Sequence, residues 1–164
     1  MKTMMVLRHA TAEKNGPDGR DYTRPLTPAG REEARAQGQR MRGDGLVPAL
    51  VATSAAVRAV ETAQGACEAF SPMPPVWTLE TLYNASGHEL LAALQELPEP
   101  SATVLLVAHM PGVAELVYLL LKPTQSPTLN YVPGTYAVME LNISRWVDIA
   151  PAKGVLRNLC LPGA

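Results

Sequence analysis

Cysteine is scarce in this sequence, net charge is almost nil and no long apolar run occurs; each shortage removes a class of function. Cys67 and Cys160 are the only cysteines. They lie far apart, and neither belongs to a C-x-x-C pair or a Cys/His cluster, which argues against a zinc site and against a secreted disulfide framework. A reducing cytoplasm is the expected setting, with no metal and no cofactor. The 14 Lys and Arg side chains are set against 15 Asp and Glu, a formal net charge of −1. Nothing in the overall charge therefore draws the chain to nucleic acid or to an anionic membrane. Any affinity for phosphate has to be local. The first apolar stretch is too short for the core of a signal peptide. The most apolar segment, 103–121, is broken by His109, Pro111, Gly112 and Glu115, short of the about 20 unbroken apolar residues that cross a bilayer. Repeats and low-complexity segments are absent too. What is present is 47% apolar residues in a chain of 164, enough for one ordinary core, so a single domain over 1–164 is expected.

The pattern along the chain alternates strand and helix. Residues 3–7 form a short β-prone run that stops at Arg8-His9, before a polar, Gly-containing loop from Thr11 to Arg24. Thr27-Pro28 suits a helix start, because the Thr hydroxyl can cap and Pro at the first helical position loses no needed hydrogen bond. That helix should run to about Arg42. A strand at 49–53 is expected next, and then a helix whose Ala56, Val60, Ala63, Cys67 and Phe70 share a face, leaving Arg58 and Glu61 off the stripe. After prolines 72, 74 and 75 come a strand at 76–79 and a capping box, Ser86 to Glu89, that opens a third helix. Residues 103–108 read as a central strand covered on both faces, and a fourth helix follows. Residues 135–141 and 145–149 read as two antiparallel strands joined by a short turn. The predicted fold is a three-layer α/β/α sandwich: a mostly parallel sheet, helices on both faces and an antiparallel element near the C-terminus.

Open α/β sheets bind ligands beyond the carboxyl ends of their strands. That rule selects Arg8 and His9 after the first strand, Ser54 and Arg58 after the second, and His109 after the most apolar one. These residue types suit phosphoryl transfer. A neutral imidazole is a competent nucleophile, guanidinium forks match phosphate oxygens, and a second histidine can donate to the same group. Taken singly, each has a plainer explanation: a strand-end His is commonly a hydrogen-bonded structural residue, and Arg58 a solvated helix residue.

The combination resembles a known family. Leu7-Arg8-His9-Ala10 resembles the Arg-His-Gly signature of the histidine phosphatase superfamily. The segment 54–63 resembles its Ser-x-x-x-Arg-Ala-x-x-Thr-Ala stretch, and residues 107–111 its second-histidine stretch. Arg24-Pro25-Leu26-Thr27 with Gly30 is similar to the SixA-type branch of phosphohistidine phosphatases. The resemblance spans about residues 4–121. It implies that His9 becomes phosphorylated, that Arg8 and Arg58 hold the phosphoryl oxygens, and that His109 completes the pocket. Arg24 is a further substrate-binding candidate, with a salt bridge to Asp21 as its alternative role. Ala10 stands where the signature has Gly, which requires a negative φ there.

The family's general acid has no clear counterpart. Alignment of Leu82-Tyr83-Asn84 puts Asn84, a substrate-binding candidate, where a carboxylate is expected; Glu80 is the possible general acid in another register. Phosphohistidine needs less acid assistance than an ester, because its nitrogen can be protonated before it leaves. The leading expectation is therefore a metal-independent phosphatase acting through phospho-His9 on the phosphohistidine of a partner protein. A phosphatase for small phosphomonoesters is the alternative, and a non-catalytic phospho-ligand binding module is a third.

Overall fold

The computed structural model describes residues 1–164. In chain order its elements are β1 (Lys2–Arg8), α1 (Pro28–Gly43), β2 (Leu50–Ser54), α2 (Val57–Cys67), β3 (Val76–Leu79), α3 (Gly87–Leu94), β4 (Thr103–Ala108), α4 (Gly112–Leu120), β5 (Tyr136–Leu141) and β6 (Gly154–Cys160). The six strands make one sheet in the order β3-β2-β4-β1-β5-β6. Strands β1 to β4 are mutually parallel, whereas β5 runs antiparallel to both β1 and β6. This is the expected mostly parallel α/β sandwich.

Alternation along the strands divides the interior in two. Met4, Val6, Leu50, Ala52, Val104 and Leu106 point into a core completed by α3 and α4. Their neighbours Met5, Leu7, Val51, Leu105 and Val107 point the other way, into a core completed by α1 and α2. Strand β4 is therefore apolar throughout because both of its faces are covered. The local signals act as expected: Thr27 Oγ1 accepts from Gly30 N–H at 3.0 Å, and Ser86 and Glu89 form a reciprocal capping box. Gly30 is required by close approach, since a Cβ there would lie 2.0 Å from the Thr11 carbonyl oxygen. No helix is long and apolar enough to cross a membrane.

One expected element is corrected. Residues 145–149 are not a strand: Trp146–Asp148 form a 3₁₀ turn, and the partner of β5 is β6, Gly154–Cys160. Trp146 is completely buried, and its Nε1–H donates to the Ser101 carbonyl at 2.7 Å. The Arg145 and Asp148 side chains pair at helical spacing. Burial of one large side chain and a local ion pair thus override the β-propensity of Trp, Val and Ile.

Candidate active site

Parallel neighbours deliver the two histidines together. Arg8 lies opposite Ala108 in the β1–β4 register, so His9 and His109 leave the sheet side by side, with ring centroids 5.2 Å apart. Strand β2, on the other side of β4, ends at Ser54, whose Oγ is 2.7 Å from His109 Nε2. Arg58, in the first turn of α2, completes the group with its Nε–H donating to His9 Nε2 at 3.3 Å. His9, Arg58 and His109 are all buried.

Each ring is oriented by a specific bond. His9 Nδ1 is 2.8 Å from the Ala10 carbonyl oxygen; an oxygen acceptor requires the proton on Nδ1, which leaves the Nε2 lone pair facing Arg58. The loop carrying His9 is fixed from both sides. Ala10 N–H donates to Thr62 Oγ1 at 3.0 Å, and Thr62 Oγ1–H donates to the Arg58 carbonyl. Gly134, at φ +81, gives its N–H to the carbonyls of Arg8 and His9. Ala10 is not among the positive-φ residues, so the Gly-to-Ala departure carries no strain.

Arg8 donates through Nη1 to the Tyr131 carbonyl at 2.8 Å, while its buried Nε has no partner. His109 Nδ1 is also buried and unpartnered. Buried polar atoms are rarely left unsatisfied, so these two unpartnered nitrogens are candidates to receive an oxyanion.

A strap formed by the 3₁₀ turn Asp21–Thr23 closes over Arg58. Arg58 Nη1 donates to the Asp21 carbonyl at 2.8 Å and Nη2 to Asp21 Oδ2 at 3.1 Å. The Tyr83 hydroxyl donates to the same Oδ2 at 2.6 Å, and Arg24 Nη1 donates to Oδ1 at 2.9 Å. These donors, Tyr83 first, hold the Asp21 carboxyl far below the usual carboxylate range. The Tyr83 ring meets His109 edge-on at 5.6 Å and Tyr22 at 5.1 Å.

The structure thus brings together Arg8, His9, Arg58 and His109, and attaches Arg24 to them through Asp21. It does not bring Asn84 or Glu80 into this group. Asn84 is exposed at φ +50, and the neighbouring Tyr83 faces the site in its place. Glu80 is exposed and accepts from the Tyr22 hydroxyl at 2.7 Å, at the outer end of the tyrosine row. Sequence reasoning does not place Asp21, Tyr83 or Thr62 in the site. Asp21 enters it only as the salt-bridge partner of Arg24, a pair present at 2.9 Å, and Thr62 carries the signal of lying four residues after Arg58 on one helix face.

Burial, followed by the charges of Arg58 and Arg8, pushes His9 down to about 4 from the usual 6.5. Burial and Arg58 push His109 down to about 3. Both rings are neutral at physiological pH. Because the folded-state values are depressed, the unfolded chain binds more protons over the window from about 6.5 down to about 4, and stability falls as pH falls through it. The expected result is a denaturation midpoint that drops across that window. The drop should be shallower in His9→Ala; an identical slope would place the His9 ring in solvent.

Residues 4–90 match the model of the histidine phosphatase superfamily (branch 1), a segment that includes Arg8, His9 and Arg58 and stops short of His109. The chain belongs to that superfamily, and it is a phosphatase. Among solved structures it is similar to a protein from Nakamurella multipartitia assigned as the phosphohistidine phosphatase SixA, with 29% identity over 99% of this chain and 97% of that one and a TM-score of 0.84. It has the fold of a protein histidine phosphatase SixA solved with tungstate, at 24% identity, 96% and 95% coverage and a TM-score of 0.80. A protein from Agrobacterium tumefaciens assigned as the phosphohistidine phosphatase SixA has that fold too, at 23% identity, 98% coverage of both chains and a TM-score of 0.77. No curated protein sequence matches the chain.

Proposed function

We propose that the protein removes the phosphoryl group from a phosphohistidine by transferring it to His9 Nε2 and then to water. In the first step the Nε2 lone pair attacks phosphorus and the P–N bond of the substrate breaks. The departing imidazole, protonated beforehand, leaves neutral. Arg8 Nε, the Arg58 guanidinium and His109 Nδ1 receive the phosphoryl oxygens. With the Ser54 hydroxyl donating to Nε2 of His109, the ring carries its proton on Nδ1, where it serves as a donor. In the second step water attacks phospho-His9, the P–Nε2 bond breaks, and phosphate is released.

The observation that carries the substrate class is the set of donors around Asp21: Arg24, Arg58 and Tyr83 all donate to its carboxylate and hold it well below the usual carboxylate range. A carboxylate so held is a poor proton donor to an alkoxide, and Glu80 stands away from the cradle. Phosphohistidine, whose leaving group departs as neutral imidazole, makes little demand for one. The resemblance to a protein assigned as SixA supports the same reading.

Hydrolysis of phosphohistidine and of alkyl phosphate esters should be measured side by side. Preference for the phosphoramidate is expected, with ester rates rising steeply as the leaving alcohol becomes more acidic. Efficient alkyl phosphate hydrolysis with phosphohistidine untouched would assign a small phosphomonoester as substrate instead. In that case Glu80→Gln should reduce turnover of esters with poor leaving groups.

A further inference from the structure

Strand β3 is the edge of the sheet and pairs only with β2. Its side facing α3 is incompletely covered. A groove of about 650 Å³ lies between them, with Trp77 and Leu79 on the strand wall, Glu89 and Ala93 on the helix wall and Glu96 and Leu97 in the turn that follows the helix. Trp77 is 40% exposed, whereas the only other tryptophan, Trp146, is fully buried. An open strand edge beside an uncovered indole is a surface that proteins usually protect.

Charge indicates what fits there. Between Arg58 and Lys122 the sequence has no Lys, Arg or Asp, yet it has seven Glu. That stretch supplies most of α2 together with β3, α3, β4 and α4; Glu61, Glu68 and Glu99 pair with Arg31, Arg35 and Lys2, while the groove itself is lined by Glu89 and Glu96 and by no Lys or Arg. The remainder of the chain carries all 14 basic residues. A partner seated in this groove is selected for apolar side chains flanked by positive charge.

Its position links it to the catalytic residues. Leu79 stands directly opposite Ser54 in the β2–β3 register, and Ser54 contacts His109. The groove therefore ends about one strand spacing, ~4.8 Å, from a residue of the site. We infer that the groove between β3 and α3 is a docking site for an apolar segment flanked by Lys or Arg on the protein that carries the phosphohistidine. Bound there, the segment holds its phosphoryl group at the strand ends and favours a protein over a free phosphorylated metabolite.

The inference rests on the proposed reaction for its purpose, but binding tests it separately. Short unphosphorylated peptides with a Leu-Ile-Leu centre, flanked either by lysines or by glutamates, are titrated against the full chain, with Trp77 fluorescence as readout. The lysine peptide should shift emission to the blue with saturation and bind at least about tenfold more tightly than the glutamate peptide. Trp77→Phe should abolish the shift. Ala93→Arg combined with Glu96→Lys should erase the preference while leaving p-nitrophenyl phosphate hydrolysis unchanged. Equal affinity for both peptides, or a preference that survives the double substitution, overturns the inference. So does a blue shift that appears on concentration alone with formation of a dimer, which would assign the groove to a second copy. With phosphohistidine added to the same peptides, the preference should reappear in kcat/KM. Tight lysine-peptide binding without phosphohistidine turnover would contradict the proposed reaction and leave the groove standing.

Discussion

His9→Ala is expected to lower turnover by about 10⁴-fold or more, the size of loss seen when a covalent nucleophile is removed. The fold should persist, because His9 lies beyond the end of β1 and belongs to none of the apolar clusters. Far-ultraviolet circular dichroism should therefore match that of the wild type. Inhibition by vanadate should survive in weakened form, since Arg8 and Arg58 remain to bind an oxyanion. A folded His9→Ala protein that turns over at the wild-type rate would remove the covalent route.

Arg58→Ala should lower kcat/KM by about 10²–10³-fold, the loss typical when one preorganised oxyanion donor is deleted. Arg58→Lys should recover little of it. In one plane the guanidinium meets His9 Nε2, the Asp21 carbonyl and Asp21 Oδ2, and an ammonium cannot reproduce that fork. The substitution also releases the Asp21 strap, so vanadate affinity should fall along with kcat. Unchanged vanadate inhibition in Arg58→Ala would place the guanidinium outside the phosphate cradle.

Much of the fold was legible because short-range chemistry decided it. The unbroken run 103–108 sits in the sheet interior, and the Ser86–Glu89 box caps α3 as its spacing implied. The strand at 145–149 failed because its β-prone residues are held by a long-range contact, Trp146 to Ser101, which no local pattern reports. The grouping of the candidate site was legible for a similar reason: Arg8, His9, Ser54, Arg58 and His109 sit at or just beyond strand ends, and parallel pairing brings strand ends together.

The rim was not legible. Asp21 meets Arg58 across 37 residues of sequence and Tyr83 across 62, and all three lie on separate elements. Helical periodicity makes Arg58 look solvated, since it falls off the apolar stripe of α2. It is nevertheless 3% exposed, because the strap lies over it. Asn84 drew attention by alignment, but its left-handed backbone turns the chain so that Tyr83, one residue earlier, packs against His109.

The most direct test of phosphoryl transfer through His9 is to trap the enzyme during turnover of phosphohistidine. The reaction is quenched in alkali, which preserves phosphohistidine, and the phosphorylated peptide is located by mass spectrometry. The expected result is an acid-labile phosphate on His9, present in the wild type and absent from His9→Ala. Steady turnover with no phosphate on His9, or with the phosphate on another side chain, would contradict it.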